Sequence, residues 1–165
     1  MTTVHYPLKD VLEVKHRRVD EAERVVTRRE EELEKQQQIL REKELERDKV
    51  KQHEQDKLQQ MRTAMDEGGV TTDELQQMRV YLQVVQERVL EEEKKVQEQE
   101  EQVKAAEQKV EEAKEIVREK RKEVDKLETH RKEWEKEMRK EIELKEAIEA
   151  DELGSIMFLN NQRKG

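Results

Sequence analysis

The sequence predicts an all-α protein: a long two-helix antiparallel coiled-coil hairpin in which the second helix extends beyond the first. Three observations carry this expectation. Apolar residues recur every seven positions along two extended stretches, and the few helix breakers fall outside those stretches. The composition is 47% charged, 32% hydrophobic and 2% aromatic, against roughly 25% charged and about 45–50% apolar in an ordinary globular domain. That leaves too little apolar surface for a layered core, so a compact enzyme fold is excluded.

The elements follow in chain order. The single proline, Pro7, suits the first turn of a helix, where its missing N–H costs nothing. Helix one is therefore expected over about 8–66. Gly68 and Gly69 can take positive φ and place a turn at 67–71. Thr71 and Glu74 have the spacing of a capping box, in which hydroxyl and carboxylate satisfy exposed backbone donors. Helix two is expected over 72–153, roughly 120 Å at about 1.5 Å per residue. Gly154 reads as its C-cap, leaving a tail over 154–165.

Periodicity decides between helix and disorder. In helix two, Leu75, Leu82, Val89, Val96, Val103, Val110, Val117 and Val124 form one heptad track, with Met78, Val85, Ala106, Ala113, Leu127 and Trp134 on its companion. Helix one repeats the pattern with Leu12, Val19, Val26, Leu33 and Leu40, joined by Leu8, Ala22, Val50 and Ala64. Strict sevens imply a left-handed supercoil. An antiparallel pairing in which residue numbers sum to about 139 sets Leu12 opposite Leu127, Ala22 opposite Val117, Leu33 opposite Ala106 and Val50 opposite Val89. Large residues repeatedly meet small ones, as close packing requires. Polar residues at Lys15, Arg29, Gln36, Lys43, Arg47, Glu54, Glu92, Gln99 and Lys120 interrupt the seam; their methylenes are expected to lie along it while their heads reach water.

In that register about twenty residues of helix two extend past the start of helix one. Trp134, Met138, Ile142 and Ile148 give this overhang apolar surface, and Ile156 to Leu159 add to it. Such surface marks either a partner site or packing against a short N-terminal segment or a second copy of the chain. Catalysis has no candidate: His5, His16, His53 and His130 lack metal-ligand spacing, and no glycine-rich loop cradles a phosphate. No cofactor is expected. Cysteine is absent, which excludes disulfides and thiol chemistry. Arg17, Arg18, Arg24, Arg28 and Arg29 are the best basic cluster, but Asp20, Glu21 and Glu23 interrupt it and the chain carries a net charge of -8, so no nucleic acid partner is expected. The start, Met1 to Asp10, lacks the apolar core of a signal peptide, and Ile156–Leu159 is too short to span a bilayer; a soluble, intracellular protein without membrane insertion is expected.

The residues also carry a family resemblance. Tyr6-Pro7-Leu8, Val11-Leu12, Lys15, Arg18-Val19-Asp20 and Ala22-Glu23 resemble the opening of the YscO/FliJ family of type III secretion stalk proteins. The likeness continues through Glu46 to His53, Tyr81 to Val85, Lys132-Glu133-Trp134 and Asp151 to Gly154, where it is similar to the chlamydial YscO-like members in particular. The resemblance implies a non-enzymatic central stalk, cytoplasmic and peripheral to the secretion apparatus at the inner membrane. Its implied partners are the hexameric type III secretion ATPase, the export gate protein and secretion chaperones. Leu8, Val11, Leu12, Trp134, Met138 and Ile142 are the candidates for the ATPase end, and His53 and Tyr81 for a shaft contact. The alternative is a coiled-coil adaptor or chaperone unrelated to secretion.

Overall fold

The computed structural model describes residues 5–164, which form α1 over Lys9–Glu67 and α2 over Thr72–Lys164 in an all-α fold with the two helices packed antiparallel. The chain groups into two compact units. Arg24–Lys114 is called the turn unit below, and Met1–Glu23 with Glu115–Gly165 the terminal unit.

The turn unit reverses the chain through Gly68 and Gly69, at φ of 73° and 80°, the only positive-φ residues among those described. An L side chain at either position would meet its own backbone, which is why glycine stands there. Thr71 then caps α2 as expected: the Glu74 N–H donates to Thr71 Oγ1 at 3.2 Å, and the Thr71 N–H to Glu74 Oε2 at 3.3 Å. In the seam Val50 on α1 and Val85, Val89, Val96, Val103, Ala106, Val110 and Ala113 on α2 are buried. On α1, Val26, Leu33 and Leu40 are only half-buried. Two of the polar seam residues do not lift their heads to water. Gln99 is buried and donates through Nε2 to Gln36 Oε1 at 2.7 Å and to the Gln36 carbonyl at 3.0 Å. Glu92 is buried as well and accepts from Lys95 Nζ at 3.1 Å. Paired in this way, a polar group can stay inside a narrow seam, because its alternative partners are satisfied rather than lost.

The terminal unit uses the same pattern with fewer layers. Leu12, Ala22, Val117 and Val124 are buried and Leu127 half-buried, and the cross-helix contact of Lys15 with Glu123, whose numbers sum to 138, agrees with the expected register. Cross-helix ion pairs flank them: Lys15 Nζ with Glu123 at 3.0 Å and Arg121 Nη2 with Glu23 at 2.6 Å. Exposed pairs of this kind contribute about 0–1 kcal/mol each, so the apolar layers hold the unit. Helix α1 begins one residue later than expected. Leu8 supplies the first accepting carbonyl, to the Leu12 N–H at 2.9 Å, and the Lys9 N–H donates to the Tyr6 carbonyl at 3.1 Å.

The C-terminal boundary needs a correction. Gly154 is not a C-cap and 154–165 is not a separate tail: α2 runs through it to Lys164. A single glycine costs a helix only about 1 kcal/mol relative to alanine. The residues around it form helix readily, and Arg163 and Lys164 in the last turn suit the negative end of the helix dipole.

Candidate protein-interaction surfaces

The expected ATPase-end residues fall into three environments, all in the terminal unit. Leu12 is 4% exposed and belongs to the seam, so it supports the surface without forming it. Leu8 and Val11, on the other faces of the first turns of α1, are exposed. Trp134, Met138 and Ile142 lie one helical turn apart on α2 and are half-buried.

Trp134 has a partner within the chain, one of the alternatives that the overhang left open. Tyr6, only 4% exposed, sets its ring edge-on to the indole, with centroids 5.4 Å apart and planes at 62°. The Tyr6 hydroxyl is hydrogen-bonded to His130 Nδ1 at 2.6 Å, and the two rings lie 5.8 Å apart. Packing against a short N-terminal segment is therefore what covers Trp134. Tyr6 lies outside both heptad tracks, and no periodic signal links it to residue 134. The one available hint was that an aromatic residue is scarce in this chain and stands next to the only proline.

Beyond Ile142, every described residue of α2 is exposed. Leu144, Ile148, Leu153, Ile156, Met157, Phe158 and Leu159 all stand in solvent, Leu144 at 62% and Phe158 at 63% exposure. At about 100° per residue, Ile142, Leu153, Ile156 and Met157 spread over one side of the helix, Leu144 and Phe158 lie on the opposite side, and Ile148 and Leu159 fall between. A helix that is apolar on opposite faces does not suit a flat surface; it suits a socket that surrounds it.

The turn unit carries the second candidate surface. His53 Nε2 and the Tyr81 hydroxyl are hydrogen-bonded at 3.0 Å with their rings edge to face, and Lys57 Nζ lies 5.4 Å from the Tyr81 ring centroid. His53 and Tyr81 are thus brought together, as a pair that fixes the phenol ring at the side of a cleft of about 360 Å³ between the helices, lined among others by Met61 and Met78. Val80 and Val84, exposed on the next turns, were not singled out in the sequence because they lie off the heptad tracks. Of the basic cluster, Arg28 and Arg29 line a cleft with Val25, Glu32 and Lys109 in the turn unit.

Among the described residues no group of histidines and carboxylates has the arrangement of a metal site, and no helix is long and apolar enough to cross a membrane. The Glu123 carboxyl lies below its ordinary value, chiefly because Lys15 donates a hydrogen bond to it, with partial desolvation opposing and the charges of Lys120, Lys15 and Arg18 assisting.

Two antiparallel helices with a polar shaft, an aromatic cluster and a bare apolar helix define a scaffold that works through contacts with other proteins. The YscO-like family model matches residues 3–164, and the chain belongs to that family. It is similar to a solved chlamydial structure, the YscO homolog CT670 from Chlamydia trachomatis, at 42% identity over 99% of this chain and 100% of that one, with a TM-score of 0.94. No curated protein matches. Membership makes this a non-enzymatic protein of the type III secretion stalk type.

Proposed function

We propose that the chain is the central coupling stalk of a type III secretion system: its terminal unit seats in the hexameric secretion ATPase, and contacts elsewhere link that ATPase to the export gate and to secretion chaperones. The observation that carries this reading is the end of α2, where apolar side chains face outward on opposite sides of an unpaired helix. A ring encloses a helix on all sides, so each of those side chains finds cover there. Leu8, Val11, Trp134, Met138 and Ile142 form the shoulder below it, and the His53–Tyr81 pair with its methionine-lined cleft is the shaft surface offered to the gate or a chaperone. Methionines suit such a contact because their unbranched side chains adapt to different partners. The protein works in the cytoplasm, at the inner face of the membrane that holds the apparatus.

The test is light scattering after size-exclusion chromatography of the protein mixed with the secretion ATPase of the same genome. Co-elution with a hexameric ATPase is expected. Met138→Glu and Phe158→Glu should weaken the association at least tenfold while leaving helicity and melting nearly intact, since a buried interface anchor typically contributes about 1.4 kcal/mol or more. Unchanged association in both variants would remove this end from the interface.

A further inference from the structure

We propose that Tyr6 is a detachable occupant of an aromatic seat formed by His130 and Trp134, and that the seat receives a large aromatic or apolar side chain of the partner once Tyr6 leaves. Only the identity of that partner rests on the stalk reading; the seat itself does not.

Tyr6 is held as a single anchor. Its neighbours His5, Pro7 and Leu8 are exposed, and it precedes the first residue of α1. Among the described residues its hydrogen bonds and ring contacts are the hydroxyl bond to His130, the contacts with the His130 and Trp134 rings and one backbone bond to Lys9. The seam closes without it, since Leu12 and Ala22 on α1 are buried on their own account. Tyr6 can therefore leave without unzipping the helices, and a stretch held through one buried side chain opens at a fraction of the cost of global unfolding.

What its departure uncovers adds to surface already exposed in the same unit. Met138 lies one turn further along α2 from the indole, and Leu8 and Val11 are exposed around the start of α1. The present occupant shows what the seat accepts: a planar ring set edge-on to the indole, with a polar group in reach of the imidazole. A partner side chain of that chemistry and Tyr6 exclude one another. Closed, Tyr6 covers one side of the half-buried indole, the only tryptophan of the chain; open, it frees an anchor of the residue type most enriched at interface hot spots.

The single tryptophan makes opening measurable without any partner. Tyr6→Ala should raise the acrylamide quenching of Trp134 about threefold and increase the emission of bound anilinonaphthalene sulfonate severalfold, with helicity and melting as the folding control. Adding Trp134→Ala should abolish the gain in dye binding. Tyr6→Phe should stay near the full-length parent protein in dye binding, because the ring is the anchor. Should Tyr6→Ala lose helicity, Tyr6→Leu is the second variant and is expected to fall between the parent and an open seat. Quenching and dye binding unchanged in the folded variant, or a dye gain that survives Trp134→Ala, would overturn the proposal. Titration with the secretion ATPase then separates the two readings. Tighter binding by Tyr6→Ala than by the parent supports displacement, and equal or weaker binding overturns it. If neither form binds, the ATPase reading falls and the dye result still decides the seat.

Discussion

The turn unit and the terminal unit are built from the same two helices and handle apolar surface in opposite ways. In the turn unit the valines and alanines on the heptad tracks of α2, from Val85 to Ala113, are covered, with Gln99 and Glu92 buried among them as paired polar groups. In the terminal unit burial stops at Val124 on α2, and larger side chains, leucine, isoleucine, methionine and phenylalanine, stand in water beyond Ile142. Neither unit buries any described side chain below 2% exposure, because two helices cannot enclose what a globular core encloses. The contrast separates surface that holds the fold from surface left bare. Valines and alanines on a strict heptad do the first. Larger leucine, isoleucine, methionine and phenylalanine side chains past the paired layers make up the second.

The sharpest way to break this comparison is to put the same charge into both regions. Val89→Asp sets a carboxylate inside the seam opposite Val50 and should cost about 3–4 kcal/mol, read as a large fall in the denaturant midpoint. Phe158→Asp should change stability by less than about 0.5 kcal/mol. Equal losses would show that the bare stretch of α2 is packed in the free protein.

A smaller effect distinguishes the glycines. Gly69→Ala forces an alanine to φ near 80° and should cost about 1 kcal/mol, although nothing lies within 4 Å of the added carbon. Gly154→Ala, equally open but inside regular helix, should stabilise by up to about 1 kcal/mol. Helicity against urea measures both. A loss at Gly154 would restore the C-cap that the sequence suggested.

The smallest effect is a pH dependence confined to the terminal unit. Glu123 lies below its ordinary value of 4.5 when folded, mainly through the hydrogen bond from Lys15, so the unfolded chain takes up its proton more readily. Its contribution is complete above the unfolded value and fades as pH falls through the folded one. Melting of Glu123→Gln and the parent should therefore differ at pH 7 and converge as the pH falls below 4.5 and through the lowered folded value. A difference that persists unchanged in acid would contradict this.

Much of the fold was legible because a coiled coil repeats its instructions. Each heptad restates the seam, the glycine pair states the turn, and Thr71 with Glu74 states where α2 begins. The antiparallel register followed from matching large residues with small ones, and the cross-helix contacts Lys15–Glu123 and Gln36–Gln99, whose numbers sum to 138 and 135, agree with it. What could not be read was whatever happens once. Tyr6 finds Trp134 through a contact that no repeat encodes. Gln36 and Gln99 were visible as polar seam positions, but that they would turn inward toward each other depends on side-chain geometry, not spacing. Gly154 misled because a glycine near the end of a pattern signals a stop only when the chain takes positive φ there.

That uninterrupted passage through Gly154 has a mechanical meaning. From Glu115 to Lys164 the terminal unit contains no proline, no left-handed residue and no break in the ladder of backbone hydrogen bonds along α2. A torque applied to the bare end has no swivel at which to dissipate, so it is delivered as twist into the paired layers around Val124 and Val117.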